Sequence, residues 1–324
     1  MSALTFQALR RLADGRFHSG VDVARELGRS RAALHDALQH VPQLGLDLFS
    51  VRGKGYRLAT PIEFIDSREV LQSAGEDGLP LRLEVVDEID STSSRLVQLA
   101  AEGAPSGTCL VAEWQSAGRG RRGRSWIASL GGSLTFSMLW RFERGAGQLG
   151  GLSLAAGAAV ARGLEDCGAA RVQVKWPNDV VVDFRKLAGI LVETAGEIQG
   201  PSAAVIGVGV NYQLSERVLD RIDQPVIDVA QCAMPLPSRS ALLGRLLGRL
   251  AAAFAEFDAR GFAASREAWR ALHAYQGRAV RVHPPNQAPF DAQVLDVAPD
   301  GALVVSTAAG PVNLASAEIS MRPR

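Results

Sequence analysis

The sequence predicts an α+β chain in three segments: a winged helix-turn-helix over residues 1–64, a strand-rich unit with helices over 80–275, and a small barrel of short strands over 277–324. Three observations predict it. Apolar residues recur at helical spacing near the start, they alternate at period two through much of the middle and the end, and a polar EDGLP stretch at 76–80 reads as a linker before the larger unit. At 324 residues the chain has ample length for a core in each segment.

In the first segment, TFQALRRLAD carries apolar residues a helical turn apart. SGVDVARELGRSRAALHDALQ then reads as a helix over about 21–27, a turn at Gly28 and Arg29, and a second helix that Ser30 caps. This is the arrangement that seats a recognition helix in the DNA major groove. LDLFSVRGKGYRLA alternates apolar and polar residues on either side of Gly-Lys-Gly, a hairpin wing that presents Lys54. Residues 1–60 hold nine basic against five acidic side chains, a net of +4 and a modest footprint for DNA. Winged helices also bind proteins, and Asp36 on the recognition helix argues mildly against tight phosphate contact.

Near Leu83 the pattern turns to a strand, LRLEVVDEI, then to DSTSSRLVQLAAEG as a capped helix and TCLVAEW as a second strand. GRGRRGRSW at 118–126 follows at once, and after it the strand GSLTFSMLW. A small-residue helix is predicted over about 149–167. VQVKWPNDVVVD, KLAGILVETAG and AAVIGVGVNY supply three or four strands with turns at Pro177-Asn178-Asp179, at Phe184-Arg185 and near Gly200. Helices over about 239–258 and 263–273 finish the unit, and RAVRVH, FDAQVLDVAPDGALVVST and PVNLASAEIS form the terminal barrel of about five strands.

A formal charge of +1, with 47% hydrophobic and 21% charged residues, excludes a whole-molecule field for DNA or anionic membranes, so any nucleic-acid contact must be local. Cys109, Cys167 and Cys232 lie far apart and fit no metal-ligand spacing, as expected of thiols in a reducing compartment. No signal-peptide pattern opens the chain, and LSLAAGAAVA from Leu152 is too short to span a bilayer. A soluble, cytoplasmic protein without membrane contact is expected.

GRGRRGRSW packs four arginines and three glycines into nine positions. A disordered arginine-glycine tract would lie in polar, low-complexity surroundings, whereas this one is bracketed by two core strands and reads as a loop of a folded unit. Its glycines let the backbone approach a ligand, and its guanidiniums offer paired donors to phosphate or carboxylate oxygens. It is not a P-loop, since no Gly-Lys-Ser/Thr follows. Of 35 basic residues only Lys54, Lys175 and Lys186 are lysine, and each falls inside a motif, which marks sites that need a compact ammonium. Lys186 adjoins the small pair Ala188-Gly189; it is either a solvated turn residue or a charge that serves carboxylate activation. Lys175 and Asp179 bracket KWPND, as a turn salt bridge or as a site for phosphates with Mg²⁺.

Together GRGRRGRSW, KWPNDV and RKLAGILVE resemble, in order and spacing, the bifunctional biotin-protein ligase and biotin operon repressor family, and FHSG, SRAAL and GKGY resemble its amino-terminal winged helix. The resemblance covers essentially the whole chain. It implies a central mixed β-sheet of biotin/lipoate ligase type, an SH3-like terminal barrel, and a two-step reaction: biotin and ATP form biotinyl-5'-adenylate, which acylates a lysine of the biotin carboxyl carrier protein of acetyl-CoA carboxylase. Carried over, the biotin contacts are Ser91, Thr92, Ser93, Gln115, Arg119, Gly120, Arg121, Lys186 and Gly189. Ser93 stands where asparagine is common. The nucleotide side comprises Arg119, Arg121, Arg124, Trp126, Lys175, Asn178, Asp179 and Asn211, with Asp179 toward Mg²⁺ and with Glu318 and Arg322 closing the ATP site. Lys186, Lys175 and Arg121 carry the catalytic roles, and Ser30, Arg31, His35 and Lys54 the operator contacts of a ligand-induced homodimer. A ligase without a DNA role, a lipoate-type ligase and a non-catalytic biotin sensor are the alternatives.

Overall fold

The computed structural model describes residues 1–75, 81–196, 200–284, 288–315 and, for backbone alone, 320–323. The expected linker at 76–80 and Glu318 lie outside the described residues, as does the side chain of Arg322.

Three serine-capped helices open the chain. Ser2, Ser19 and Ser30 each accept a hydrogen bond from the third amide beyond them and start α1 (Ala3–Leu12), α2 (Gly20–Glu26) and α3 (Arg31–Leu38). β1 (Leu48–Val51) and β2 (Gly55–Leu58) pair antiparallel, with Gly53 (φ +82°) turning the tip that carries Lys54. Phe6, Leu9, Leu12, Leu34, Leu38 and Leu58 form the core, which continues into the central unit through Leu130 and Trp114. Leu130 N donates to Leu44 O at 3.0 Å, and Arg10 meets Asp87 at 2.7 Å.

No helix is predicted between the wing and the central unit, yet α4 (Ser67–Ser73) lies there, capped by Asp66. Seven residues with one fully buried apolar side chain, Val70, leave too little periodicity to read. Its place is set by α9 (Arg239–Arg260): a side chain at Gly244 would come within 2.3 Å of Val70 O, so only glycine admits the approach.

The central sheet has seven strands: β3 (Arg82–Ile89), β4 (Thr108–Gln115), β5 (Ser133–Phe142), β6 (Gln173–Lys175), β7 (Asp179–Val182), β8 (Arg185–Gly196) and β9 (Ser202–Asn211), in the order β3-β4-β5-β9-β8-β7-β6. Only β3 and β4 are parallel, joined by α5 (Thr92–Ala101), so the sheet is mixed. α5 packs Leu96 on Leu110, Leu139 and Val205. α6 (Leu152–Asp166), α9 and α10 (Ala263–Leu272) pack on residues of opposite parity, Val111, Met138 and Ile206, and therefore cover the other face. Two short helices, α7 (Glu216–Leu219) and α8 (Val229–Cys232), follow β9. The β7–β8 turn falls at Asp183 and Phe184, both at positive φ, one residue before the expected position.

The last five strands, β10 (Ala279–His283), β11 (Phe290–Val297), β12 (Leu303–Thr307), β13 (Gly310–Leu314) and β14 (Ser320–Pro323), form an antiparallel sheet in the order β13-β12-β11-β10-β14. The expected barrel does not close, since β13 and β14 do not pair among the described residues. The physical reason is that the apolar face has another cover: Val280, Val282, Val294, Leu303 and Val305 share one core with the central unit, and Trp176 Nε1 donates to Gly301 O at 3.0 Å.

Candidate functional site

The arginine-glycine segment is a folded loop. Trp126 N donates to Gly118 O at 2.9 Å and Gly120 N to Arg124 O at 2.7 Å, so the segment closes as a small hairpin around a 3-10 turn at Arg121–Gly123. Arg122 sits at φ +56°, a left-handed conformation uncommon for a side-chain-bearing residue. Two of the arginines pin the hairpin to the sheet: Arg119 meets Glu193 at 2.9 Å, and Arg121 Nη1 donates to Asn178 Oδ1 at 3.0 Å.

Beneath the loop lies a cavity of about 480 Å³, measured to its open mouth. Its wall contains Ser91, Thr92, Ser93, Gln115, Arg119, Gly120, Arg121, Trp126, Asn178, Lys186 and Gly189, brought together from the start of α5, the end of β4, the loop, and β8 with the turn before β7. Thr135, Gly207 and Gly209 belong to it as well and escape the sequence reading. Their signal is the period-two glycine pair in GVGVN, which removes two successive side chains from one face of β9. The space has a use: a Cβ at Gly209 would lie 2.3 Å from the Trp126 ring, and one at Gly207 would lie 2.4 Å from Ser93 Oγ.

Charge converges on one end. Lys186 Nζ lies 2.8 Å from Asp179 Oδ1 and 5.6 Å from the centre of the Trp126 ring. The side chains of this pair are 18% and 20% exposed, so water screens them less than a surface pair. The approach is ionic and lacks hydrogen-bond geometry, which leaves Asp179 Oδ1 without a donor. Burial, then the neighbouring Arg122, lower the pKa of Arg121 from the ordinary arginine value, and Asp179 opposes them.

Other candidates stand outside the cavity wall. Asn211 is buried behind it and donates through Nδ2 to Lys186 O at 3.0 Å and Ile227 O at 3.2 Å, so it holds the backbone of Lys186. Lys175 pairs in register with Asp179 across β6 and β7, with its ammonium 5.9 Å from the centre of the Tyr275 ring. Asp179 pairs with Lys186 on the neighbouring strand β8. Arg124 is exposed. A second cavity of about 970 Å³ shares Arg121, Asn178 and Ile190 with the first and extends past Gly151 and Ser153 to Asp300 and Gly301 of the terminal sheet.

In the amino-terminal unit Ser30, Arg31 and His35 are exposed on one helix and Lys54 on the wing tip. The ring nitrogens of His35 are 3.1 Å from Tyr56 Oη and 3.1 Å from Gln39 Nε2, so this ring braces helix against wing. No helix among the described residues is long and apolar enough to cross a membrane.

The biotin/lipoate A/B protein ligase family model matches residues 85–211. The bifunctional ligase/repressor BirA of Salmonella typhimurium is 40% identical over 84% of this chain and 83% of its own length, and that of Bacillus subtilis is 27% identical over 95% of each. Among solved structures, the biotin protein ligase of Aquifex aeolicus in complex with biotin and ATP is 26% identical, with a TM-score of 0.63 over 75% of this chain and 99% of that one. The chain therefore belongs to the biotin/lipoate A/B protein ligase family, among its bifunctional biotin-protein ligases and biotin operon repressors.

Proposed function

We propose that this protein is an ATP-dependent biotin-protein ligase that also represses transcription in response to biotin. The observation that carries the reading is one cavity in which Lys186, Arg121, Gln115 and Ser91–Ser93 converge over a floor stripped of side chains by Gly207 and Gly209.

In the first step a carboxylate oxygen of biotin attacks the α-phosphorus of ATP, and the bond to the β-phosphate oxygen breaks with release of pyrophosphate. Lys186 and Arg121 place two positive charges where the carboxylate meets the phosphate, stabilising negative charge as it redistributes. Asn211 acts through Lys186 as a positioning residue, fixing the strand that carries it. The second cavity suits the nucleotide, because it continues the first past Arg121 and Asn178; Lys175, on β6 before the turn that holds Asn178, is assigned to the nucleotide side with it. Asp179 offers one carboxylate beside Lys186 at this end of the site. Asp179 would hold a Mg²⁺ brought with ATP, and the ion would supply neutralisation of phosphate charge. The hairpin and Trp126 shield the mixed anhydride from water. In the second step the ε-amine of a carrier-protein lysine attacks the acyl carbon, loses a proton, and AMP departs.

The amino-terminal unit, residues 1–64, is a winged helix-turn-helix that reads a two-fold operator as a ligand-induced homodimer, with Ser30, Arg31 and Lys54 facing DNA; residues 80–275 form the ligase domain and 277–324 the terminal one. The protein acts in the cytoplasm. Biotin-dependent pyrophosphate–ATP exchange, followed by transfer to a biotin carboxyl carrier protein, tests the ligase. Exchange with lipoate in place of biotin, or none with either, would refute it. Titration of promoter DNA with protein, biotin and ATP tests the repressor.

A further inference from the structure

We infer that Ser137, a residue outside the cavity wall, relays to Ser93 the hydrogen-bond direction that Thr92 imposes at Gln115 and thereby dictates which ligand edge must donate. The inference rests on the biotin reading above for the ligand and on four contacts for the direction. Thr92 N donates to Gln115 Oε1 at 2.7 Å. A backbone N–H cannot accept, so the amide oxygen faces Thr92 and the Nε2 hydrogens face elsewhere. Thr92 Oγ1 lies 3.2 Å from the same oxygen and can bond it only by donating. With that hydrogen spent, Thr92 Oγ1 must accept from Ser137 Oγ, 2.8 Å away. Ser137 has then spent its own hydrogen, so Ser93 Oγ, at 3.0 Å, donates to Ser137. Ser137 is completely buried and takes no part in the wall, which makes it a positioning residue.

Both ends of this one-way chain face the ligand. Ser93 Oγ stands over the notch at Gly207 and has only lone pairs left, while Gln115 Nε2 has only hydrogens. The matching edge is an N–H beside a carbonyl, as in a cyclic urea: N–H to Ser93, oxygen to Gln115. A dithiolane ring offers neither and leaves both ends unsatisfied in a desolvated site. A serine at position 93 carries one rotatable hydrogen, and without Ser137 that hydrogen is free to turn toward the ligand.

The test compares pyrophosphate exchange with biotin and with the cyclic carbamate analogue, in which the ring N–H that would face Ser93 is replaced by oxygen. The wild-type protein is expected to prefer biotin strongly, since the analogue sets lone pair against lone pair. In Ser137→Ala the KM for biotin rises about tenfold with kcat and the KM for ATP little changed, and the preference for biotin over the carbamate falls by about tenfold or more, as the freed Ser93 hydroxyl turns to donate. Ser137→Cys, which keeps a weak donor and acceptor, lies between. A purely packing role would weaken both ligands alike, so an unchanged preference in Ser137→Ala beside an active wild type overturns the assignment. A wild type that uses neither compound overturns the biotin reading instead.

Discussion

Lys186 and His273 show how one titratable side chain carries opposite kinds of information. Lys186 was conspicuous as one of three lysines, and it lies where the cavity is most charged, 2.8 Å from Asp179. Lys186→Ala removes the donor and strands a carboxylate beside the phosphates; biotin-dependent pyrophosphate exchange is expected to fall by about 10²-fold or more, the scale of losing one preorganised donor. An unchanged rate would sink its role. His273 has no part in the chemistry. It stacks on Trp269 with ring centres 4.4 Å apart, and burial pushes its pKa down to about 4, only partly offset by the Gln276 side chain. The unfolded chain takes up this proton near pH 6.5, whereas the folded protein resists until about pH 4. The stability linked to His273 is therefore complete above about pH 6.5 and drains as the pH falls toward 4, by at most ~3 kcal/mol. His273→Leu should flatten the melting temperature across that window, and an equal slope in both proteins would exclude the assignment.

At the scale of the element, the loop and β9 are one device. The arginines of the hairpin bind it to Glu193 and Asn178, and the Trp126 ring rests where Gly209 has no side chain. A methyl at Gly209 would sit 2.3 Å from that ring, so Gly209→Ala must lift the hairpin from the sheet. The expected result is faster escape of the adenylate, read as a shorter release half-life, in a protein whose melting temperature changes little. A second device is buried under α9. Arg239 and Glu113, both almost wholly buried, meet at 2.9 Å; Arg239 also donates to Glu63 O, and the Glu63 carboxylate accepts from Arg239 N and Ser240 N at the start of the helix. Replacing Glu113 by alanine leaves a buried guanidinium without its charge partner, at a cost of ~3–5 kcal/mol in denaturant unfolding. A loss under about 1 kcal/mol would show that water or a rearranged Glu63 takes over.

Across the whole molecule, the amino-terminal unit is docked and not merely tethered. Leu130 lies four residues beyond Trp126 and is buried in the amino-terminal core, so the segment that ends the arginine-glycine loop also seats the amino-terminal unit. Deleting residues 1–60 is expected to abolish sequence-specific DNA binding, since it removes α3, the wing and the +4 charge together. It also bares Leu130 and Trp114, so the truncated ligase should expose apolar surface to a hydrophobic dye. Retained operator binding in the truncated protein would place DNA recognition elsewhere.

Much of this was legible in the chain. The Ser30 cap, the Gly-Lys-Gly turn and the strands that bracket GRGRRGRSW follow from local rules, because caps, turns and alternation are decided within a few residues of backbone, whereas most of the cavity wall came only with the family resemblance. Asn211, which the resemblance places near the adenylate, spends its amide hydrogens on backbone carbonyls, among them Lys186 O, 25 residues earlier. The open terminal sheet, the helix α4 seated on Gly244, the Arg239–Glu113 pair and the hydroxyl chain through Ser137 all join residues far apart in sequence. Spacing along the chain sets which face a side chain occupies; which partner it meets there depends on how separate elements pack, and that is decided only when their apolar faces share one core.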